Sequence, residues 1–95
     1  MARILILNGP NLNLLGTREP AIYGTRTFDD YLAELRATFD GHVIDLLQSN
    51  VEGELIDALQ AADTDRDGVV MNAAGYTHTS VAIRDTIAGL RVPVV

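Results

Sequence analysis

Arg3-Ile4-Leu5-Ile6-Leu7 is a short, nearly unbroken apolar run halted by Asn8-Gly9-Pro10-Asn11, the pattern of a strand buried on both faces and closed by turn residues. From Thr27 the period changes: Phe28, Tyr31, Leu32, Leu35 and Phe39 recur at helical spacing. Thr27 is placed as the N-cap, Asp29 and Asp30 sit where the helix dipole favours anions, and Gly41 marks the stop. Val43-Ile44-Asp45-Leu46-Leu47 predicts a second strand ending in Gln48-Ser49-Asn50. Ser49 with Glu52 fits a capping box that opens a helix along Leu55, Ile56 and Leu59. Gly68-Val69-Val70-Met71 predicts a third strand stopping at Asn72. A helix from Thr79 or Ser80 then carries Ile83, Ile87 and Leu90 on one face, and Arg91-Val92-Pro93-Val94-Val95 begins a fourth strand.

Strands alternating with single amphipathic helices imply right-handed crossovers and a parallel sheet covered on both faces, an α/β fold. No repeat or low-complexity linker interrupts the order, so residues 1–95 are expected to form a single domain. Two features depart from a plain domain. The stretch from Gly9 to Arg26 has neither periodicity, whereas strand-to-helix loops usually take about 2–6 residues, so it is expected to be an active-site loop. The chain also stops inside an apolar strand with nothing to cover its outer edge, which makes the sequence read as cut short.

In an open parallel sheet, ligands bind beyond the carboxyl ends of the strands where the strand order reverses, and an order of 2-1-3-4 puts that point between the first and third strands. Two polar loops are expected to meet there. One carries Asn8, Gly9, Pro10, Asn11, Asn13, Arg18 and Tyr23; the other carries Asn72, Gly75, Tyr76, Thr77, His78, Thr79 and Ser80. Asn, Gly, Pro and Thr are also the ordinary material of turns and caps, so the asparagines alone leave both readings open. Tyr23 and Arg18 make a more specific pair. A phenol with a reference pKa near 10 is a useful base only if its anion is stabilised, which a permanently charged guanidinium nearby does. By spacing alone, a surface arginine beside a packed tyrosine fits equally. His78, at the mouth of a helix, is either a polar ligand contact or a cap-side histidine.

Composition narrows the chemistry. The 95 residues are 47% hydrophobic and 21% charged, enough for one modest core, and the net charge of -6 argues against nucleic-acid partners. There is no cysteine, which removes disulfides and thiolate chemistry and fits a reducing compartment, with the cytoplasm as the default. No apolar run approaches the ~20 residues of a membrane span. All seven cations are arginines, so Schiff-base catalysis by lysine is excluded. Asp63, Asp65, Asp67 and Gly68 open like a calcium loop, but Ala74 stands where the bidentate glutamate belongs, which leaves an acidic helix-to-strand turn. His42 and His78 lack the spacing of a zinc site. Neither a G-x-G-x-x-G, a Walker lysine nor a G-x-S-x-G elbow is present, which weighs against a nucleotide-binding domain and against a hydrolase built on Ser80, His78 and Asp85.

Four collinear motifs go further. Asn8-Gly9-Pro10-Asn11-Leu12-Asn13-Leu14-Leu15-Gly16 resembles the N-G-P-N-L-N-x-L-G of the type II 3-dehydroquinases (3-dehydroquinate dehydratases). Arg18-Glu19-Pro20-Ala21-Ile22-Tyr23-Gly24 is similar to that family's R-E-P-x-x-Y-G, Gln48-Ser49-Asn50-Val51-Glu52-Gly53 to its Q-S-N-x-E-G, and Tyr76 through Asp85 to its Y-T-H-T-S-x-A-x-R-D. The resemblance implies a flavodoxin-like fold and trans elimination of water from 3-dehydroquinate through an enolate in the shikimate or quinate pathway, with no metal or organic cofactor. It implies Tyr23 as the base, Arg18 holding its pKa down, and Asn11 helping to stabilise the enolate oxygen. It implies Asn72 and His78 as binders of substrate hydroxyls, and Asp85 as a residue reaching a neighbouring subunit's site in trimers packed into dodecamers. Ala73 stands where many members have proline. The resemblance spans this whole chain but about the first two thirds of the family pattern, whose general-acid segment E-x-H-x-S-N, last strand and closing helices follow Val95. A non-catalytic module or inactive fragment is therefore the alternative expectation.

Overall fold

A computed structural model of the chain describes residues 1–16 and 27–95. β1 (Arg3–Asn8), β2 (Val43–Gln48) and β3 (Gly68–Asn72) form a parallel sheet of order β2-β1-β3, with Asn8 opposite both Gln48 and Asn72. The helices are α1 (Phe28–Thr38), α2 (Glu52–Asp65), the single turn α3 (Tyr76–Thr79) and α4 (Val81–Gly89), and a 3-10 turn, Leu12–Leu14, follows β1. The chain steps one way from β1 to β2 and back past β1 to β3, so right-handed crossovers put α1 and α2 on opposite faces.

The period-2 alternation of the strands divides their side chains between those faces. Leu5, Leu7 and Val69 point toward α2 and α4, where they close a core with Leu55, Leu59, Ala62, Ile83 and Val92; Leu7, Leu55 and Leu59 are wholly buried. Ile4, Ile6 and Val70 point the other way. There, with Phe28, Tyr31 and Leu35 of α1, they line an apolar groove of about 550 Å³, and Val70 is 49% exposed. One face of the sheet is thus a packed core, and the other is covered only in part.

Thr27 caps α1 as expected, its hydroxyl accepting from the Asp30 amide at 3.1 Å while the Asp30 carboxylate accepts the Thr27 amide at 3.2 Å. Three local expectations need correction. Helix α1 ends with Phe39 as its C-cap, two residues before Gly41, because the Phe39 amide still reaches Leu35. Ser49 and Glu52 make no capping box: the Ser49 hydroxyl accepts the Val51 amide at 2.9 Å and donates to Glu54 Oε2 at 2.7 Å, so Val51 becomes the N-cap. The predicted fourth strand lies beside β3, as the 2-1-3-4 order requires, but it is one bridge, Val69 to Val94, not a strand. Arg91 and Val92 give their amides to Asp63 Oδ1 at 2.7 and 2.9 Å, and pairing with β3 begins at Pro93, whose carbonyl accepts the Val69 amide at 2.9 Å, while the Val95 amide donates to the Val69 carbonyl at 3.0 Å.

The Asp63–Asp67 turn is a structural one, as expected. Asp63 anchors the last segment, and Asp67 Oδ2 accepts the Arg3 amide at 2.7 Å. Between them, Asp65 lies 3.6 Å from Arg66 Nε.

Candidate active site

The parallel register delivers three amide side chains, Gln48, Asn8 and Asn72, to one edge of the sheet, and the loops that follow are tied to one another. The Gly9 amide donates to the Asn72 carbonyl at 2.7 Å, which brings the main chains after β1 and β3 into direct contact. Glycine is required there. A Cβ on Gly9 would lie 2.5 Å from the Ala73 carbonyl oxygen, well inside contact distance. Beyond this junction the Asn72 side-chain oxygen accepts the Ala74 amide at 3.0 Å, and Ala74 takes a φ of 53°. The chain can then turn into α3.

Asn11 follows Pro10 with φ 69° and ψ -3°, a left-handed conformation that asparagine tolerates better than most residues. Its amide donates to Asn50 Oδ1 at 3.0 Å. The same oxygen accepts from Gln48 Nε2 at 3.1 Å, and Gln48 Nε2 also donates to the Gly9 carbonyl at 3.1 Å. The Tyr76 hydroxyl closes the set by donating to the Asn50 main-chain oxygen at 2.9 Å. Loops from the ends of all three strands are therefore joined through Asn50. The spacing of Gln48 and Asn50 gave no such role. The usable signal is their position at and just beyond the end of β2, on the edge where Asn8 and Asn72 also lie.

The expected site residues separate as follows. The loops of Asn11 and Asn72 meet at the Gly9 junction, but the two asparagines line different hollows: Asn11 a depression of about 240 Å³ with Pro10, Leu12, Ala74 and Gly75, and Asn72 the strand end of the larger groove. His78 is exposed on α3, in the loop that begins at Asn72. Asp85 is exposed on α4, two residues and about 200° around the helix from buried Ile83, so it faces away from the core. Tyr23 and Arg18 lie outside the described residues. The larger groove is mostly apolar, and Asn8, Asn72, Tyr31 and His42 are the polar residues that line it. In the strand-end depression Asn11 is the one amide side chain, beside Pro10, Leu12, Leu14, Leu15, Ala74 and Gly75.

No helix among the described residues is long and apolar enough to cross a membrane. No group of three His, Asp or Glu among them is placed to hold a metal ion.

The family model described as Dehydroquinase class II matches residues 2–95. A 3-dehydroquinate dehydratase from Azorhizobium caulinodans is 58% identical over 94 residues, which cover 97% of this chain and 63% of the relative. A catabolic 3-dehydroquinase from Aspergillus oryzae is 52% identical over 92 residues, covering 95% of this chain and 60% of the relative. The crystal structure of a type II dehydroquinase from Propionibacterium acnes superposes with a TM-score of 0.88 at 40% identity, over 99% of this chain and 66% of that one. The chain thus spans a little under two thirds of the length of the curated relatives it matches.

Proposed function

The chain belongs to the class II dehydroquinase family, and from that membership we propose that it serves the dehydration of 3-dehydroquinate to 3-dehydroshikimate, as a hydro-lyase. The family match across residues 2–95 carries the proposal, and the junction of the Asn11 and Asn72 loops at the strand ends supports it. Tyr23, as phenolate, takes a hydrogen from the carbon beside the ketone. The C–H electron pair becomes the enolate and the phenol becomes neutral. Arg18 keeps the phenolate available at neutral pH. Asn11 donates toward the enolate oxygen, directly or through water, where negative charge develops. The enolate then expels the β-hydroxyl, which leaves as water with a proton from a general acid, and the product is a conjugated enone. Asn72 and His78 bind ring hydroxyls.

The same family reading proposes a cytoplasmic homo-oligomer of trimers assembled as dodecamers, in which Asp85 reaches a neighbouring site. An exposed Asp85 directed away from its own core is compatible with that role.

Tyr23→Phe is the direct test. The substitution is expected to reduce dehydration at least ~10²-fold, followed by ultraviolet absorbance of the enone. It should also stop exchange of the hydrogen beside the ketone with D2O, followed by proton NMR of the substrate. Exchange reads the base step alone. Turnover or exchange at the parent rate in the phenylalanine variant removes Tyr23 as the base.

A further inference from the structure

We infer that Asn50 is a positioning residue of this site, whose side-chain carbonyl sets the left-handed backbone of Asn11 and so aims the Asn11 side chain; the catalytic part of this inference rests on the dehydratase reading above. A non-glycine residue at φ 69° sits in a sparsely populated region and stays there when its surroundings over-determine it. Asn50 supplies that constraint at the Asn11 amide, 3.0 Å away.

The orientation of the Asn50 amide is dictated by its donors. The Asn11 N–H and the Gln48 Nε2–H both converge on the same atom, and only a carbonyl oxygen satisfies two donors; a flipped NH2 would face both of them. Gln48 is held in turn, because its Nε2 also donates to the Gly9 carbonyl, and Gly9 is joined to Asn72. Tyr76 fixes the Asn50 main chain from the third loop. Asn50 therefore couples the backbone of the residue proposed at the enolate oxygen to the two loops that flank it. The Q-S-N stretch gains a chemical reason for its asparagine: a short neutral acceptor that reaches the next loop without bringing a charge beside a developing enolate.

The test compares Asn50→Ala with Asn50→Asp in the full chain. Alanine deletes the acceptor, whereas aspartate keeps an oxygen in place for the Asn11 amide. In Asn50→Ala the Asn11 amide is expected to exchange with solvent ~2–10-fold faster, the range set by loss of one hydrogen bond, with other strand-end amides unchanged. kcat for 3-dehydroquinate should fall about 10–100-fold while KM moves much less, since misplacing an oxyanion donor acts chiefly on the transition state. Asn50→Asp should recover the slow Asn11 exchange, while its negative charge near the developing enolate keeps kcat below the parent's. Parent-like exchange and kcat in Asn50→Ala overturns the inference, as does an Asn50→Asp variant as impaired in Asn11 exchange as the alanine. If Asn50→Ala does not fold, Gln48→Ala provides the second arm: it removes one donor to the Asn50 oxygen and is expected to speed Asn11 exchange about twofold to fivefold, with an unchanged rate counting against the network. A parent chain that folds but neither dehydrates 3-dehydroquinate nor exchanges its hydrogen overturns the dehydratase reading, and the Asn11 exchange rates still decide whether Asn50 sets that backbone.

Discussion

At the scale of single residues the site is held by close approach as much as by chemistry. Gly9 lets two loops share a main-chain hydrogen bond, and the room it leaves is already filled by the Ala73 carbonyl. Gly9→Ala is expected to push that carbonyl away, lengthen the Gly9–Asn72 bond and destabilise the fold by about 1–3 kcal/mol, the usual cost of overpacking. Denaturant unfolding monitored by circular dichroism checks the size, and loss of protection at the Gly9 amide checks the place. Asn11 and Asn72 are legible in the sequence because Asn72 ends β3 and Asn11 lies in the turn that follows β1. Asn50 is not, since its role depends on a donor 39 residues away that only folding brings within 3.0 Å.

At the scale of elements, periodicity and capping chemistry account for most of the order along the chain. Thr27 and Asp30 satisfy two orphan amides of α1 reciprocally, so Thr27→Ala is expected to cost about 1 kcal/mol, measured as a lowered unfolding midpoint at unchanged denaturant slope. The N-cap lies two residues beyond Ser49, at Val51, because the Ser49 hydroxyl accepts from the amide two residues on in place of the one three on. α3, four residues long, has too few apolar positions for periodicity to reveal it. The segment expected as a fourth strand lies beside β3, but the reach of Asp63 to the Arg91 and Val92 amides is invisible in a linear pattern, and it delays pairing with β3 until Pro93.

At the scale of the molecule, two aspartates link stability to pH. A hydrogen bond from Arg66 holds Asp45 below the ordinary carboxylate range, and the Val92 and Arg91 amides do the same for Asp63. A carboxylate whose pKa is depressed by folding adds stability above its unfolded value and loses it as pH falls through the folded one. Thermal midpoints should therefore be insensitive to these two groups from about pH 5 to 7 and should drop below about pH 4. Asp63→Ala should lower the midpoint at neutral pH, shrink the drop in acid and loosen the Val94 bridge, read by amide exchange; an acid dependence equal to the parent's would remove Asp63 from the linkage. Local periodicity and short motifs suffice for three strands, the longer helices, the parallel α/β class, the family and the loops that bear Asn11 and Asn72. The tertiary structure alone decided which atoms meet between those loops, because hydrogen-bond partners 39 and 63 residues apart in the chain are chosen by sheet register and strand order, which no window of neighbouring residues encodes.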